Sequence, residues 1–312
     1  MSINWFPGHM NKATREIREM LPKVDLVIEI VDARLPYSSA NPVLARLRAD
    51  KPCLKLLSKT DLADPLITRQ WLEHLEKDSA VRALAISTQQ PAQIRRLAEM
   101  CRSLPGVKPD ATGNVTALIT GIPNVGKSTL INTLAGRVVA KAGNEPAVTK
   151  MQQRIDLRNG LVLIDSPGVL WPRIDNENSG YRLALSGAIR ATAMAEDDVA
   201  VFAADYFLQA YPQLLQQRFK VDALPDSGMA MLELIGRQRG CLGSGGHIDF
   251  DRVAAILINE FRSATLGAIS LETPAMAMAE EIVVRQQLEE RAAKKAAADE
   301  ARKKAYKQSK RH

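Results

Sequence analysis

Cysteine is scarce in this 312-residue chain, with Cys53, Cys101 and Cys241 standing far apart. That spacing excludes a disulfide framework and a short-spaced zinc cluster, and predicts three reduced, mostly buried thiols. Long apolar runs are missing too, and nothing approaches the roughly 18 residues a membrane span needs. Met1-Ser2-Ile3-Asn4-Trp5 lacks the basic start and apolar stretch of a secretory leader. Together these absences predict a cytoplasmic protein with no membrane partner. No internal repeat is visible. Charge of one sign is in modest excess, with a net charge of +7. Such a balance suits a polyanionic partner without specifying one.

What is present is an alternation of strand-like and helix-like patterns. Apolar, β-branched runs occupy 24–31, 53–57, 82–86, 115–120, 154–157 and 161–164, the last two separated by the hairpin signal Asn159-Gly160. Helical periodicity fills 65–76, 91–102 and 127–135. This order predicts an α/β domain over residues 1–178, with a mostly parallel sheet and helices on both faces. Past about 180 the strand pattern stops. Helical patterns at 180–194, 197–210, 227–237, 250–265 and 275–290 predict an all-helical domain over 179–285, followed by a basic tail over 286–312. Within 250–265, Asp249 is the expected cap and Ala255, Ile256, Ile258 and Phe261 the expected buried side. Arg237, Arg239, Arg252 and Arg262 read either as a phosphate-gripping group or as a solvated face.

Gly121-Ile122-Pro123-Asn124-Val125-Gly126-Lys127-Ser128 fits G-x-x-x-x-G-K-[ST] without a mismatch, between an expected strand and an expected helix. Glycine lets the backbone amides of Asn124 through Thr129 turn inward on phosphates, and the helix start adds partial positive charge. Lys127 is expected on the β- and γ-phosphates as a catalytic group, and the Ser128 hydroxyl on Mg²⁺. Downstream, Asp165-Ser166-Pro167-Gly168 ends a strand. Asp165 there can hold the Mg²⁺ shell, and the Gly168 amide can meet the γ-phosphate. Thr149 is either a second Mg²⁺ ligand on a switch loop or a plain loop threonine.

Ser58-Lys59-Thr60-Asp61 resembles the guanine-reading N-K-x-D of GTPases. A carboxylate at Asp61 can accept from guanine N1–H and the N2 amino group together, and adenine offers neither donor. The Lys59 stem can lie along the base. Ser58 departs from the usual Asn and brings one donor instead of two. Ile86-Ser87-Thr88 resembles the S-A-x loop whose amides meet guanine O6. The order is unusual: Asp61 precedes Gly121, whereas ordinary GTPases encode the phosphate loop first. A circular permutation explains this, with the loop at Pro105–Asn114 as the new junction.

With motifs in this order, the chain resembles the YlqF family of circularly permuted bacterial GTPases. Trp5-Phe6-Pro7-Gly8-His9-Met10, Val31-Asp32-Ala33-Arg34, Pro36, Asn41-Pro42, Gly240-Cys241, Gly245-Gly246, Phe261-Arg262 and Leu266-Gly267 carry the resemblance, which spans residues 3–275. Ser58, Thr88 and Ala147 depart from the family pattern. The resemblance implies a circularly permuted P-loop GTPase domain and a helical RNA-contacting domain. It implies an assembly factor that binds the immature large (50S) ribosomal subunit and its rRNA, is stimulated by the particle, and leaves after GTP hydrolysis to GDP. It also implies His9 as a catalytic candidate, because Val169 stands where many GTPases carry a water-orienting Gln. Asn124 resembles the asparagine that coordinates K⁺ in cation-dependent GTPases. The chain lacks the N-terminal barrel and Cys/His zinc site of another permuted family. Two other readings stay open: a GTPase of tRNA modification or signalling, and an RNA-binding protein that keeps GTP as a structural ligand.

Overall fold

The computed structural model describes residues 3–4, 15–140, 153–166, 170, 173–189 and 194–309. Two compact units result, Met1–Thr273 and Pro274–His312. The first runs β1 (Ile3–Asn4), β2 (Leu26–Asp32), α1 (Pro36–Ser39), α2 (Pro42–Arg48), β3 (Cys53–Ser58), α3 (Pro65–Leu75), β4 (Val81–Ala85), α4 (Pro91–Arg95), α5 (Leu97–Ser103), β5 (Val115–Gly121), α6 (Lys127–Ala135), β6 (Gln153–Asp156), β7 (Leu161–Asp165) and β8 (Arg173–Ile174), then the helices α7 (Glu177–Ser186), α8 (Glu196–Ala210), α9 (Pro212–Phe219), α10 (Gly228–Gln238) and α11 (Phe250–Arg262). The second unit holds one long helix, α12 (Pro274–Ser309).

Six strands form one sheet in the order β4-β3-β2-β5-β7-β6. All neighbours are parallel except β6 and β7, the hairpin that Asn159-Gly160 signals. β2 is buried along its whole length, as a central strand covered on both faces must be. Edge strand β6 buries Ile155 alone and exposes its other three residues. β1 pairs antiparallel with β8 as a separate two-stranded ribbon. One continuous apolar core runs from Leu26, Leu54, Ile119 and Leu163 in the sheet to Leu183, Phe207 and Phe261 in the helices.

Local chemistry sets most helix starts. Asn41 and Asp64 cap α2 and α3 by accepting from the next backbone amides, and a proline stands in the first turn of each. The periodicity at 91–102 resolves into two helices meeting at Arg96. The pattern at 180–194 yields a helix that starts earlier, capped by Asn176, and stops at Ser186 because Gly187 takes φ 80°. Asp249 caps α11 as expected, but its buried side is Val253, Ala254, Leu257, Ile258 and Phe261. Ala255 and Ile256 are only partly covered. Phe207 of α8 stacks on Phe261 and fixes that rotation. The three cysteines are free and buried, and burial pushes the Cys53 and Cys101 thiols up to about 12. Among the described residues no helix is long and apolar enough to cross a membrane.

Candidate functional site

In a parallel sheet, ligands gather outside the carboxyl ends of the strands, where the strand order reverses. Here the chain lays β3 and β4 on one side of β2 and then β5 on the other. The register places Asp32 beside Ser58, Ile30 beside Gly121, and Ile119 beside Asp165. The motifs that end β3, β5 and β7 therefore open on the same edge of the sheet.

A direct bond joins the two main motifs. Ser58 Oγ lies 2.7 Å from the Val125 carbonyl in the phosphate loop and 3.0 Å from the Val31 carbonyl. One hydroxyl proton serves both acceptors, where an asparagine amide would bring two. Lys59 takes φ 58°, and its ammonium donates to Asp32 Oδ2 at 3.0 Å. A single 3-10 turn, Thr60–Leu62, then presents Asp61 at the surface. Asp61 Oδ1 accepts from Ser87 Oγ at 2.7 Å and Oδ2 from Gln89 Nε2 at 3.3 Å. Thr60 N donates to Ile86 O at 3.4 Å, so the two loops expected on guanine lie side by side. Ser87 is buried, whereas Thr88 and Gln89 are exposed.

Gly121 closes β5 under tight constraint. A Cβ there would sit 2.8 Å from the Ile30 carbonyl and 2.9 Å from Val125. Asn124 and Gly126 both take positive φ, which turns the loop before α6 begins at Lys127. Asn124 Nδ2 donates to the Gly187 carbonyl at 2.8 Å, at the end of α7. Ser128 and Thr129 lie in the first turn of α6, where backbone amides lack intrahelical acceptors. Lys127 is buried against Asp165 and donates to its Oδ1. Burial outweighs the pull of Lys127 and holds the Asp165 carboxyl above its ordinary range. Asp165 Oδ2 is buried with no hydrogen-bond partner among the described residues. A buried acceptor of that kind, close to the helix N-terminus through Lys127, fits a hydrated hard cation.

His9, Thr149 and Gly168, with Val169, lie outside the described residues. The basic residues of the helical part divide. Arg262 donates to the Leu185 and Ala184 carbonyls, both at 2.9 Å, and so completes the C-terminus of α7. Arg239 pairs with Glu260 at 2.9 Å. Arg237 and Arg252 are exposed.

A buried polar cluster behind the base motif escaped the sequence reading. Glu272, fully buried, accepts from the Tyr37 and Ser38 amides at 2.5 and 2.9 Å. It also accepts from Ser38 Oγ at 2.5 Å and pairs with Arg182 at 3.1 Å. Its carbonyl receives the Trp71 indole N–H at 3.0 Å. Just before it, Ile269 N donates to Leu62 O at 3.1 Å, and Ser270 Oγ accepts from the Asp64 amide at 3.2 Å. The segment leaving the helical part thus braces the loop that carries Asp61. Sequence separations of 90 to 235 residues hide such pairs, and nothing in the sequence around Glu272 signals them.

The chain is similar to known proteins in sequence and fold. The family model described as 50S ribosome-binding GTPase matches residues 116–227, from β5 onward. A ribosome biogenesis GTPase A from Priestia megaterium is 41% identical over 287 residues, covering 89% of this chain and 99% of the relative. A GDP-bound structure of T. maritima YlqF matches with a TM-score of 0.61 at 27% identity, covering 84% of this chain and 100% of that one. A GNP-bound structure of the same protein matches with a TM-score of 0.60 at 26% identity, covering 84% and 98%.

Proposed function

The chain belongs to the ribosome biogenesis GTPase A family, and from that premise we propose that it uses GTP hydrolysis to time its stay on the immature large ribosomal subunit. The observation that carries this reading is the Ser58–Val125 bond, which ties the base motif to the phosphate loop although the chain encodes them in reverse order. A nucleotide spanning that bond has Asp61 at its base and Lys127 at its phosphates.

The chain's own groups divide the work. Asp61, held by Ser87 and Gln89, accepts from the guanine edge. The amides of Asn124 through Thr129 bind phosphate oxygens. Lys127 leaves Asp165 for the β- and γ-phosphates and offsets the charge that develops there in the transition state. Ser128 and Asp165 would hold Mg²⁺, with Thr149 as a switch-loop ligand and the Gly168 amide on the γ-phosphate. Mg²⁺, when bound, neutralises charge on the β- and γ-phosphates. His9 is our candidate for orienting the attacking water, because Val169 offers no hydrogen bond. Asn124, already fixed by Gly187, would turn its amide oxygen to K⁺; equal turnover in sodium and potassium buffers would exclude that role.

The helical part over 179–285 is the proposed rRNA-contacting domain, with Arg252 and Arg237 as exposed cations, the latter beside Glu233 at 3.8 Å. The test is sedimentation of the full chain with large-subunit precursors. Co-sedimentation with a non-hydrolysable GTP analogue and release with GDP is the expected result. Binding that ignores the nucleotide, or no binding at all, moves the chain to another RNA process. Absence of single-turnover hydrolysis makes GTP a structural ligand.

A further inference from the structure

We propose that Asp32 is a positioning residue for guanine recognition, acting through Lys59; this rests on the GTP reading above. Asp32 belongs to neither nucleotide motif. It closes β2, the strand that lies between the base motif on β3 and the phosphate loop after β5. Its carboxylate is buried, and each oxygen receives two donors. Oδ1 accepts from the Arg34 amide at 3.1 Å and from Arg34 Nε at 2.9 Å. Oδ2 accepts from Arg34 Nη2 at 2.8 Å and from Lys59 Nζ at 3.0 Å. Arg34 is itself fixed: its guanidinium lies 4.8 Å from the centre of the Phe261 ring, and its carbonyl accepts from Leu271 N at 2.6 Å. The forked Arg34 contact holds the carboxylate still, and the remaining acceptor position points at the base motif.

Lys59 needs such an anchor. A lysine at φ 58° occupies the left-handed region, which costs free energy that surrounding contacts must offset. Its side chain also carries large rotamer entropy. By taking the ammonium, Asp32 gives the four-carbon stem one course beside Asp61, where the base plane would lie. Without the tether, the stem and the turn at Lys59-Thr60 must be ordered by the nucleotide itself, and affinity falls by that cost. With its acceptor positions filled from Arg34 and Lys59, Asp32 acts on guanine only through Lys59.

The test is a fluorescent-GDP titration and GTP turnover on the full chain, for wild type, Asp32→Asn, Lys59→Met and the double variant. Asp32→Asn is expected to weaken fluorescent GDP about tenfold. The KM for GTP rises in proportion, with little change in kcat. Lys59→Met keeps the apolar stem, loses the ammonium and should weaken binding as much. The double variant should be no weaker than either single one. Wild-type affinity in Asp32→Asn overturns the proposal. So does a second tenfold loss when Asp32→Asn is added to Lys59→Met, because Asp32 would then act without Lys59. Should Asp32→Asn not fold, Lys59→Met decides: wild-type affinity there overturns the proposal, and the tenfold loss supports it. A wild-type chain that binds no fluorescent GDP would remove the GTP reading itself.

Discussion

Glu272→Ala is the substitution whose cost follows most directly from the geometry. Glu272 is 0% exposed and the Arg182 side chain 2%. Burial outweighs Arg182 and the hydrogen bonds and holds the Glu272 carboxyl above its ordinary range, so the charged pair is not itself a large net gain. The penalty lies in what removal leaves behind. Arg182 cannot shed its proton and would stay buried without this carboxylate, at a cost of about 3–5 kcal/mol. The Tyr37 and Ser38 amides would also lose their acceptor, at about 1–3 kcal/mol each before hydration or local relaxation. The terms come to about 5–11 kcal/mol, and even the lower end is comparable to the whole stability of a marginal fold, about 5–15 kcal/mol. Glu272→Gln keeps a carbonyl for the two amides but also leaves Arg182 without its carboxylate, so it should cost about 3–5 kcal/mol. Urea denaturation of the ligand-free full chain measures both. The Ala variant should unfold at lower urea than the Gln variant, with an unchanged slope. A loss below about 1 kcal/mol for Ala, or equal losses for the two, would refute this account of the brace.

Three further outcomes follow from named contacts. Gly121→Ala must push its Cβ against the Ile30 carbonyl in central β2, so it should cost about 1–3 kcal/mol and weaken nucleotide binding, read by melting and titration together; wild-type binding would show that the loop shifts freely. Arg262→Met removes two bonds to the end of α7 and should cost about 1.5–3 kcal/mol in urea, and no change would mean those carbonyls are satisfied by water. Burial opposes ionisation of Asp32, yet Arg34 and Lys59 overrule it and hold the carboxyl well below its ordinary range. A depressed folded pKa adds stability above the unfolded value, about 3.9, that is lost as pH falls toward the folded one. The stability gap between wild type and Asp32→Asn should therefore be flat from about pH 7 to 5 and shrink below about 4; a gap that persists at the lowest pH where the chain stays folded contradicts the assignment.

Where the sequence was informative, the physics was local. The strand-like runs became all six strands of the main sheet; the central β2, buried on both faces, needs a continuous apolar run, whereas edge strand β6 buries Ile155 alone. The hairpin at Asn159-Gly160 and the cap at Asp249 depend on neighbours in sequence, and they formed as expected. The helix over 91–102 split at Arg96, and α1, α2 and α9 were missed. Short helices that open with Pro36, Pro42 and Pro212 carry too few turns for a periodicity to show. The face of α11 was legible at Ile258 and Phe261 but not at Ala255 and Ile256, because packing against Phe207, not propensity, sets its rotation. The nucleotide motifs were legible because phosphate and guanine chemistry demands fixed residue types at fixed spacing. Gln89 and Glu272 were not legible as supports, since their partners are supplied by the fold; Asp32 and Arg34 are sequence neighbours, but their reach to Lys59 and Phe261 is set by the fold.

The central claim is that Asp61 and Lys127, encoded in reverse order, serve one nucleotide. Xanthine carries a carbonyl acceptor where guanine carries its N2 amino donor, so Asp61→Asn should exchange the preference. Competition titration of fluorescent GDP with GDP and xanthosine diphosphate measures this directly. The wild type should prefer GDP, Asp61→Asn should prefer xanthosine diphosphate, and Lys127→Ala should weaken both without altering the preference. An Asp61→Asn chain that still selects GDP would contradict the account.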